Sequence, residues 1–227
     1  MFENYQLQLE KAKIERKHNP IPHTIPVILL TLVGALGYIF LGVMLAPAHA
    51  DASYHFGNER GAITVLSSLL LMMASTFSLA SFLVFYRLSA SGMWIWLLMG
   101  VGIAFLAFDD LLQFHARLGN LLSDFIFRGF FRTWSELVVI LYGVIALPFL
   151  FFYFPTLLRF RLLPEMIFAG IIFYGIHTGL DIIQDEKSIP YVIIEESAKL
   201  YSAVFLALGT FFGFLGIIQK HIPQAES

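Results

Sequence analysis

The sequence predicts an all-α membrane protein, a polytopic bundle of about six transmembrane helices with an amphipathic extension after the third span. Three observations lead to this fold class. Of the 227 residues, 58% are hydrophobic and only 13% are charged, whereas soluble domains carry about 25% charged residues. The mean hydropathy is +0.78. Six apolar segments each approach the roughly 20 residues that a helix needs to cross a bilayer.

The six predicted spans follow one another without a repeat or a soluble domain between them. The first covers about 25–46. An Ala-His-Ala triplet at 48–50 is typical of signal-peptidase sites, but the apolar run before it is about 22 residues, longer than the usual h-region of about 7–15. We therefore expect a retained span. The others cover about 62–86, 92–110, 134–154, 164–182 and 197–218, within a transmembrane domain 21–220 that is flanked by tails 1–20 and 221–227.

Beyond the third span, the apolar pattern continues in amphipathic form. Leu111, Phe114, Leu118 and Leu121 recur at spacings of three and four, and a second stripe with the same period is polar. This pattern predicts an amphipathic helix. We expect the helix to run past the hydrocarbon, or to bend near Gly119 and lie along the interface.

The distribution of charge predicts the orientation. With the N-terminus in the cytoplasm, the inner segments carry eight Lys or Arg against five acids, and the outer segments carry six against eleven. An excess of cations marks the cytoplasmic side. We therefore expect both termini in the cytoplasm, in an integral protein of the bacterial inner membrane. In the basic tail, Phe2, Tyr5 and Leu9 are spaced for one face of a short surface helix.

The rest of the composition narrows the function classes. The chain has no cysteine, which excludes disulfides, thiolate catalysis and cysteine metal ligands. The formal net charge of −2 gives no reason to expect nucleic acid as a partner. Membrane lipids are the expected surroundings, and homo-oligomerisation is left open.

Ionisable side chains gather at the helix ends that six spans would place on one side. Charged groups in membrane spans are costly and indicate a functional site. The candidates are Asp109, Asp110, His115 and Arg117 after the third span, Glu136 at the start of the fourth, His177 and Asp181 at the end of the fifth, and Glu195, Glu196 and Lys199 at the start of the sixth.

A divalent metal site is the first interpretation, because imidazole and carboxylate ligands suit zinc, manganese or iron. His177 and Asp181 are four residues apart and share one helix face. The predicted ligands are Asp110, His115, His177, Asp181 and Glu195. The metal would activate water with help from the catalytic candidates Asp109, Asp110 and Glu196. A hydrolase of lipid ester, amide or phosphate bonds near the headgroups is the most concrete form of this hypothesis.

Two other interpretations stay open. Clustered carboxylates beside His and Lys also occur in ion- or proton-coupled transporters, although a serine stripe along the second span (Ser68, Ser75, Ser78 and Ser81) favours close helix packing instead. A structural role needs no ligand. In that case Arg117, Glu136 and Lys199 would join a salt-bridge network that ties the helix ends together.

Two segments, FDDLLQFHARLG (108–119) and IIEESAKL (193–200), resemble paired DD-x4-H and EE-x2-K motifs of small uncharacterised multi-span bacterial membrane proteins. The resemblance covers about a tenth of the chain. It implies a multi-span helical fold and no particular activity.

The sequence also bears a fainter resemblance to the alkaline ceramidase and progestin-receptor-like hydrolase superfamily. Those proteins are seven-span bundles with a zinc ion held by three His, an Asp and a Ser. The resemblance would assign such roles to Ser67 or Ser68, to Asp109 or Asp110, and to His177. The paired-His motif of their last helix is absent here.

Overall fold

A computed structural model describes residues 2–18, 24–45, 61–89, 92–125, 134–183 and 188–221. Within these ranges the chain forms eight helices and no strand, which confirms the predicted all-α class. In chain order they are α1 (Phe2–Lys17), α2 (Thr24–Leu45), α3 (Ala62–Arg87), α4 (Met93–Leu112), α5 (Phe114–Phe125), α6 (Trp134–Leu158), α7 (Leu163–Ile183) and α8 (Ile189–His221).

Six of these helices, α2, α3, α4, α6, α7 and α8, are long and apolar enough to cross a membrane. They overlap the six predicted spans, so the chain has the architecture of an integral membrane protein. α8 is the central helix. In its apolar 18-residue stretch 61% of the residues are buried, whereas the corresponding share is 11% in α2 and in α6. It packs against α3, α7 and α2, and α3 also packs against α4.

The last span begins eight residues earlier than its predicted start at 197. α8 starts at Ile189, and the carbonyl of Ser188 accepts hydrogen bonds from the amides of Tyr191 and Val192. Pro190 is no obstacle, because proline is tolerated in the first turn of a helix. The acids that we expected at the helix start, Glu195 and Glu196, therefore lie past its first turn, where the helix dipole no longer stabilises them.

The bend after the third span lies at Gln113 rather than near Gly119. Gln113 adopts φ 55° and ψ 46°, and its amide donates to the Asp109 carbonyl at 2.7 Å, which ends α4. The predicted amphipathic helix then follows as α5 and packs on α6. Gly119 has a different role: a Cβ there would lie 2.5 Å from the backbone nitrogen of Ser135, so the glycine permits close approach of the two helices.

α1 is tied to the helix ends on one side of the bundle. Arg16 pairs with Glu165 in the first turn of α7, and Glu15 pairs with Lys220 near the end of α8 at 2.9 Å. At the other end of α1, Tyr5 stacks on Phe151 of α6 with a ring separation of 5.6 Å. The predicted helix in the basic tail is thus present, and it contacts three spans.

Candidate functional site

Polar side chains from four spans meet in one layer of the bundle. Because successive spans run in opposite directions, the ends of α4 and α7 and the starts of α3 and α8 lie on one side, opposite α1. We call this group the polar cluster; it comprises Thr64, Ser67 and Ser68 of α3, Asp110 of α4, His177 of α7, and Glu195, Glu196 and Lys199 of α8.

Lys199 is the cation at the centre of the polar cluster. Its ammonium lies 2.7 Å from Oε2 of Glu196, one turn earlier on the same helix, and 3.3 Å from Oδ1 of Asp110 on α4. It also donates to the hydroxyl of Thr64 at 3.2 Å. The Lys199 side chain is only 14% exposed. One ammonium therefore links α8 to both α3 and α4.

Asp110 is held from the other side by serine hydroxyls. Its Oδ2 accepts hydrogen bonds from Ser68 at 2.8 Å and from Ser67 at 3.2 Å. Both serines are buried. A carboxylate that is removed from water needs such donors as well as a cation, because its desolvation is expensive. Asp110 thus has donors at both of its oxygens.

His177, Glu195 and Glu196 form a second part of the polar cluster, which we call the His–Glu–Glu group. Each of these residues offers one ligand-type atom, and the three atoms lie within 4.8 Å of one another. Glu195 is 4% exposed and Glu196 is 8% exposed. Buried carboxylates of this kind differ from the acids on a solvated surface, since buried charges are paired or coordinate metals.

The imidazole of His177 faces this group without completing a hydrogen bond at Nδ1. This atom is buried and has no hydrogen-bond partner among the described residues. Its near neighbour is Oε1 of Glu195 at 3.9 Å, beyond hydrogen-bond distance. Buried polar atoms are nearly always satisfied, so an exception suggests a role for a bound ion or water.

The spacing of the His–Glu–Glu group is close to that of a metal site. Ligand atoms bound to zinc at about 2.1 Å can be at most about 4.2 Å apart. The 3.9 Å between His177 and Glu195 lies inside this limit. The three ligand atoms lie within 4.8 Å of one another, which is roughly half an ångström more than zinc allows. Rotation of a side chain can supply a shift of this size.

The predicted ligand set is only partly brought together. Asp110 lies in the polar cluster but is occupied by Lys199 and two serines. His115 lies with Asp109 instead: its Nδ1 is 2.9 Å from Oδ2 of Asp109, and its amide donates to Oδ1 at 2.7 Å. Glu196, predicted as a catalytic acid, stands among the candidate ligands.

The remaining predicted residues are not members of the His–Glu–Glu group. Asp181 is half-buried on α7 and is not one of its three members. Arg117 is exposed and forms no ion pair with a described side chain, whereas Lys199, the other cation predicted for the network, pairs with Asp110 and Glu196. The side chain of Glu136 lies outside the described residues. Thr64, in contrast, was missed, because an isolated threonine in an apolar segment carries no sequence signal.

The serine stripe of α3 does not extend the polar cluster across the bundle. Ser75 donates to the carbonyl of Gly100 on α4 at 2.7 Å, while Ser78 and Ser81 donate to carbonyls four residues earlier in α3. All three are buried. Their hydroxyls are thus used in helix packing, as the sequence favoured.

Comparison with known proteins places the chain in a family without assigning an activity. A protein-family model described as a domain of unknown function (DUF8692) matches residues 27–212. This range includes every member of the polar cluster. No curated protein and no solved structure matches the chain.

Proposed function

This chain belongs to the DUF8692 family, and we propose that it is a metal-dependent membrane hydrolase whose divalent ion is bound by His177, Glu195 and Glu196. One observation carries the proposal: three ligand-type atoms from α7 and α8 lie within 4.8 Å of one another in a buried setting. One imidazole and two carboxylates suit zinc, manganese or iron.

The charge of the polar cluster supports a cation as the ligand. Among the described side chains, the cluster holds the carboxylates of Asp110, Glu195 and Glu196, and Lys199 pairs with the first and the last of these. Buried carboxylates are stabilised by a cation close to them. A divalent ion at the His–Glu–Glu group would be such a cation and would give His177 Nδ1 an electrophile to bind.

Hydrolysis is the reaction that this ligand set favours. His177, Glu195 and Glu196 would hold the ion through three protein ligands, and a divalent ion held in this way would supply an activated water as the nucleophile. Glu195 is the seventh residue of α8, which places it about 10 Å from the helix start. A site at this depth suits ester, amide or phosphate bonds near lipid headgroups.

Elemental mass spectrometry of the full-length protein, purified in detergent without chelator, tests the proposal. We expect about one equivalent of zinc, manganese or iron in the wild type, lost in His177→Ala. The matched control is His115→Ala, which removes another histidine of the same side together with its Asp109 contact and should keep the metal. The rate at which each protein hydrolyses phospholipid and ceramide vesicles should increase with its metal content.

A wild-type protein that binds none of these metals, even after incubation with each, would refute the proposal. A second candidate would then stand, a structural role in which the polar cluster locks the helices. The contacts of Lys199 with Asp110 and Glu196 favour it, because they join α8 to α4 without any ligand.

A further inference from the structure

We infer that Lys199 is a built-in counter-cation that competes with the metal ion for Glu196 and thereby sets the affinity of the site. The inference rests on the proposed function. Its basis is that one carboxylate belongs to both arrangements: Glu196 is a member of the His–Glu–Glu group and also forms an ion pair with the Lys199 ammonium at 2.7 Å.

A metal ion and Lys199 cannot both interact with Glu196 at full strength. The pair is close to ideal ion-pair distance, so the ammonium takes part of the negative charge that a divalent ion would use. A metal bound to the other oxygen of Glu196 would lie about 5 Å from the ammonium. At that separation the two cations repel by more than the energy of a tenfold change in affinity, even in bulk water.

The structure provides Lys199 with alternative partners. Oδ1 of Asp110 is 3.3 Å away, and the hydroxyl of Thr64 is 3.2 Å away. Asp110 is fixed by Ser67 and Ser68 and so stays in place to receive the ammonium. When a metal binds, Lys199 releases Glu196 and strengthens its contact with Asp110. Metal binding is therefore coupled to the contact between α8 and α4.

Metal titration of Lys199→Met tests the competition. We expect the full-length variant in detergent to bind Zn²⁺ at least about tenfold more tightly than the wild type, because the repelling charge is gone. The matched control is Lys220→Met, the same change on the same helix, where the lysine pairs with Glu15 at 2.9 Å at the opposite end. Its affinity should equal that of the wild type. Calorimetry with Zn²⁺ and the visible absorption of bound Co²⁺ provide readouts independent of activity.

Lys199→Met leaves Asp110 without its cation, and this variant could fail to fold for that reason. A second pair of variants tests the competition in that case. Asp110→Asn/Lys199→Met removes one charge of each sign and keeps an oxygen for the two serines. Compared with Asp110→Asn alone, it should again bind Zn²⁺ at least about tenfold more tightly. Because the double variant keeps the net charge of the wild type, tighter binding than in the wild type separates direct competition at Glu196 from a change in the net charge.

The outcomes for this inference differ from those for the proposed function. Equal or weaker binding by the Lys199 variants, with metal bound by the wild type, overturns the inference and leaves the metal site standing. If the wild type binds no metal but the variants do, the competition is supported and Lys199 is the native counter-cation. Absence of binding in all of these proteins overturns both.

Discussion

Asp109 and Asp110 are neighbours in the chain, yet their carboxylates hold different parts of the bundle. Asp109 binds the amide and the imidazole of His115 at 2.7 and 2.9 Å. Asp110 binds two serines of α3 and the ammonium of Lys199. Adjacent residues on a helix point about 100° apart, so the pair acts as two independent acids and not as a dyad.

Replacement of Asp110 should destabilise the bundle in a graded way. Asp110→Ala removes a partner of the buried Lys199 and the acceptor for two serine hydroxyls, and loss of one partner of a buried ion pair costs about 3–5 kcal/mol. Asp110→Asn keeps an oxygen for Ser67 and Ser68 and should cost less. Thermal unfolding in detergent should rank the wild type above Asp110→Asn, and Asp110→Ala last. An unchanged melting temperature for Asp110→Ala would contradict the role of this contact.

Asp109 should control the corner between α4 and α5. Its carboxylate caps the first turn of α5 through the His115 amide, and loss of a capping side chain costs about 0.5–2 kcal/mol. In Asp109→Ala, amide hydrogen exchange at residues 114–118 should therefore accelerate, while exchange at 195–200 should not. His115→Ala keeps the capped amide and should show the smaller change. Equal acceleration in both variants would assign the effect to the imidazole contact instead.

The fold could be predicted from the sequence in its spans but not at two of its boundaries. Apolar length determines where a helix can cross a membrane, and all six predicted spans are present. The start of α8 was predicted too late, at 197, although the first turn of a helix accepts a proline such as Pro190. The bend at Gln113 has no glycine to mark it, since it depends on Asp109 capping the following helix.

The sequence predicts on which side of the bundle the candidate site lies, but it does not predict which side chains contact one another there. Because successive spans run in opposite directions, the sequence places Asp110, His177 and Glu195 on one side of the bundle. The spacing of three residues within one helix pairs Glu196 with Lys199. The pairing of His115 with Asp109 depends on the bend, and the link from Lys199 to Thr64 depends on how α3 and α8 pack. Contacts between distant helices leave no periodic pattern in a single sequence.

The approach of α5 to α6 should be sensitive to a single methyl group. In Gly119→Ala the new Cβ would lie 2.5 Å from the backbone nitrogen of Ser135, which cannot move aside as a side chain would. We expect a loss of about 1–3 kcal/mol from overpacking. Gly102→Ala is the matched control, because nothing lies within 4 Å of its Cβ position on α4. That variant should be neutral or gain about 0.5–1 kcal/mol in stability from helix propensity. Chemical denaturation in mixed micelles would measure both.

The ion pairs of α1 should hold it against the bundle. Glu15 and Arg16 reach the ends of α8 and α7, and partly exposed pairs contribute about 0.2–1 kcal/mol each, so their loss should open α1 several-fold more often. The chain has no cysteine and Ala12 is fully buried, which makes Ala12→Cys a specific reporter for maleimide labelling. In that background, Glu15→Gln/Arg16→Gln should speed labelling. Glu10→Gln/Lys13→Gln breaks a pair within α1 at 2.8 Å and should leave the rate unchanged. Equal rates in the two double variants would show that these ion pairs do not hold α1 and that its other contacts, such as those of Tyr5 with Phe151, do.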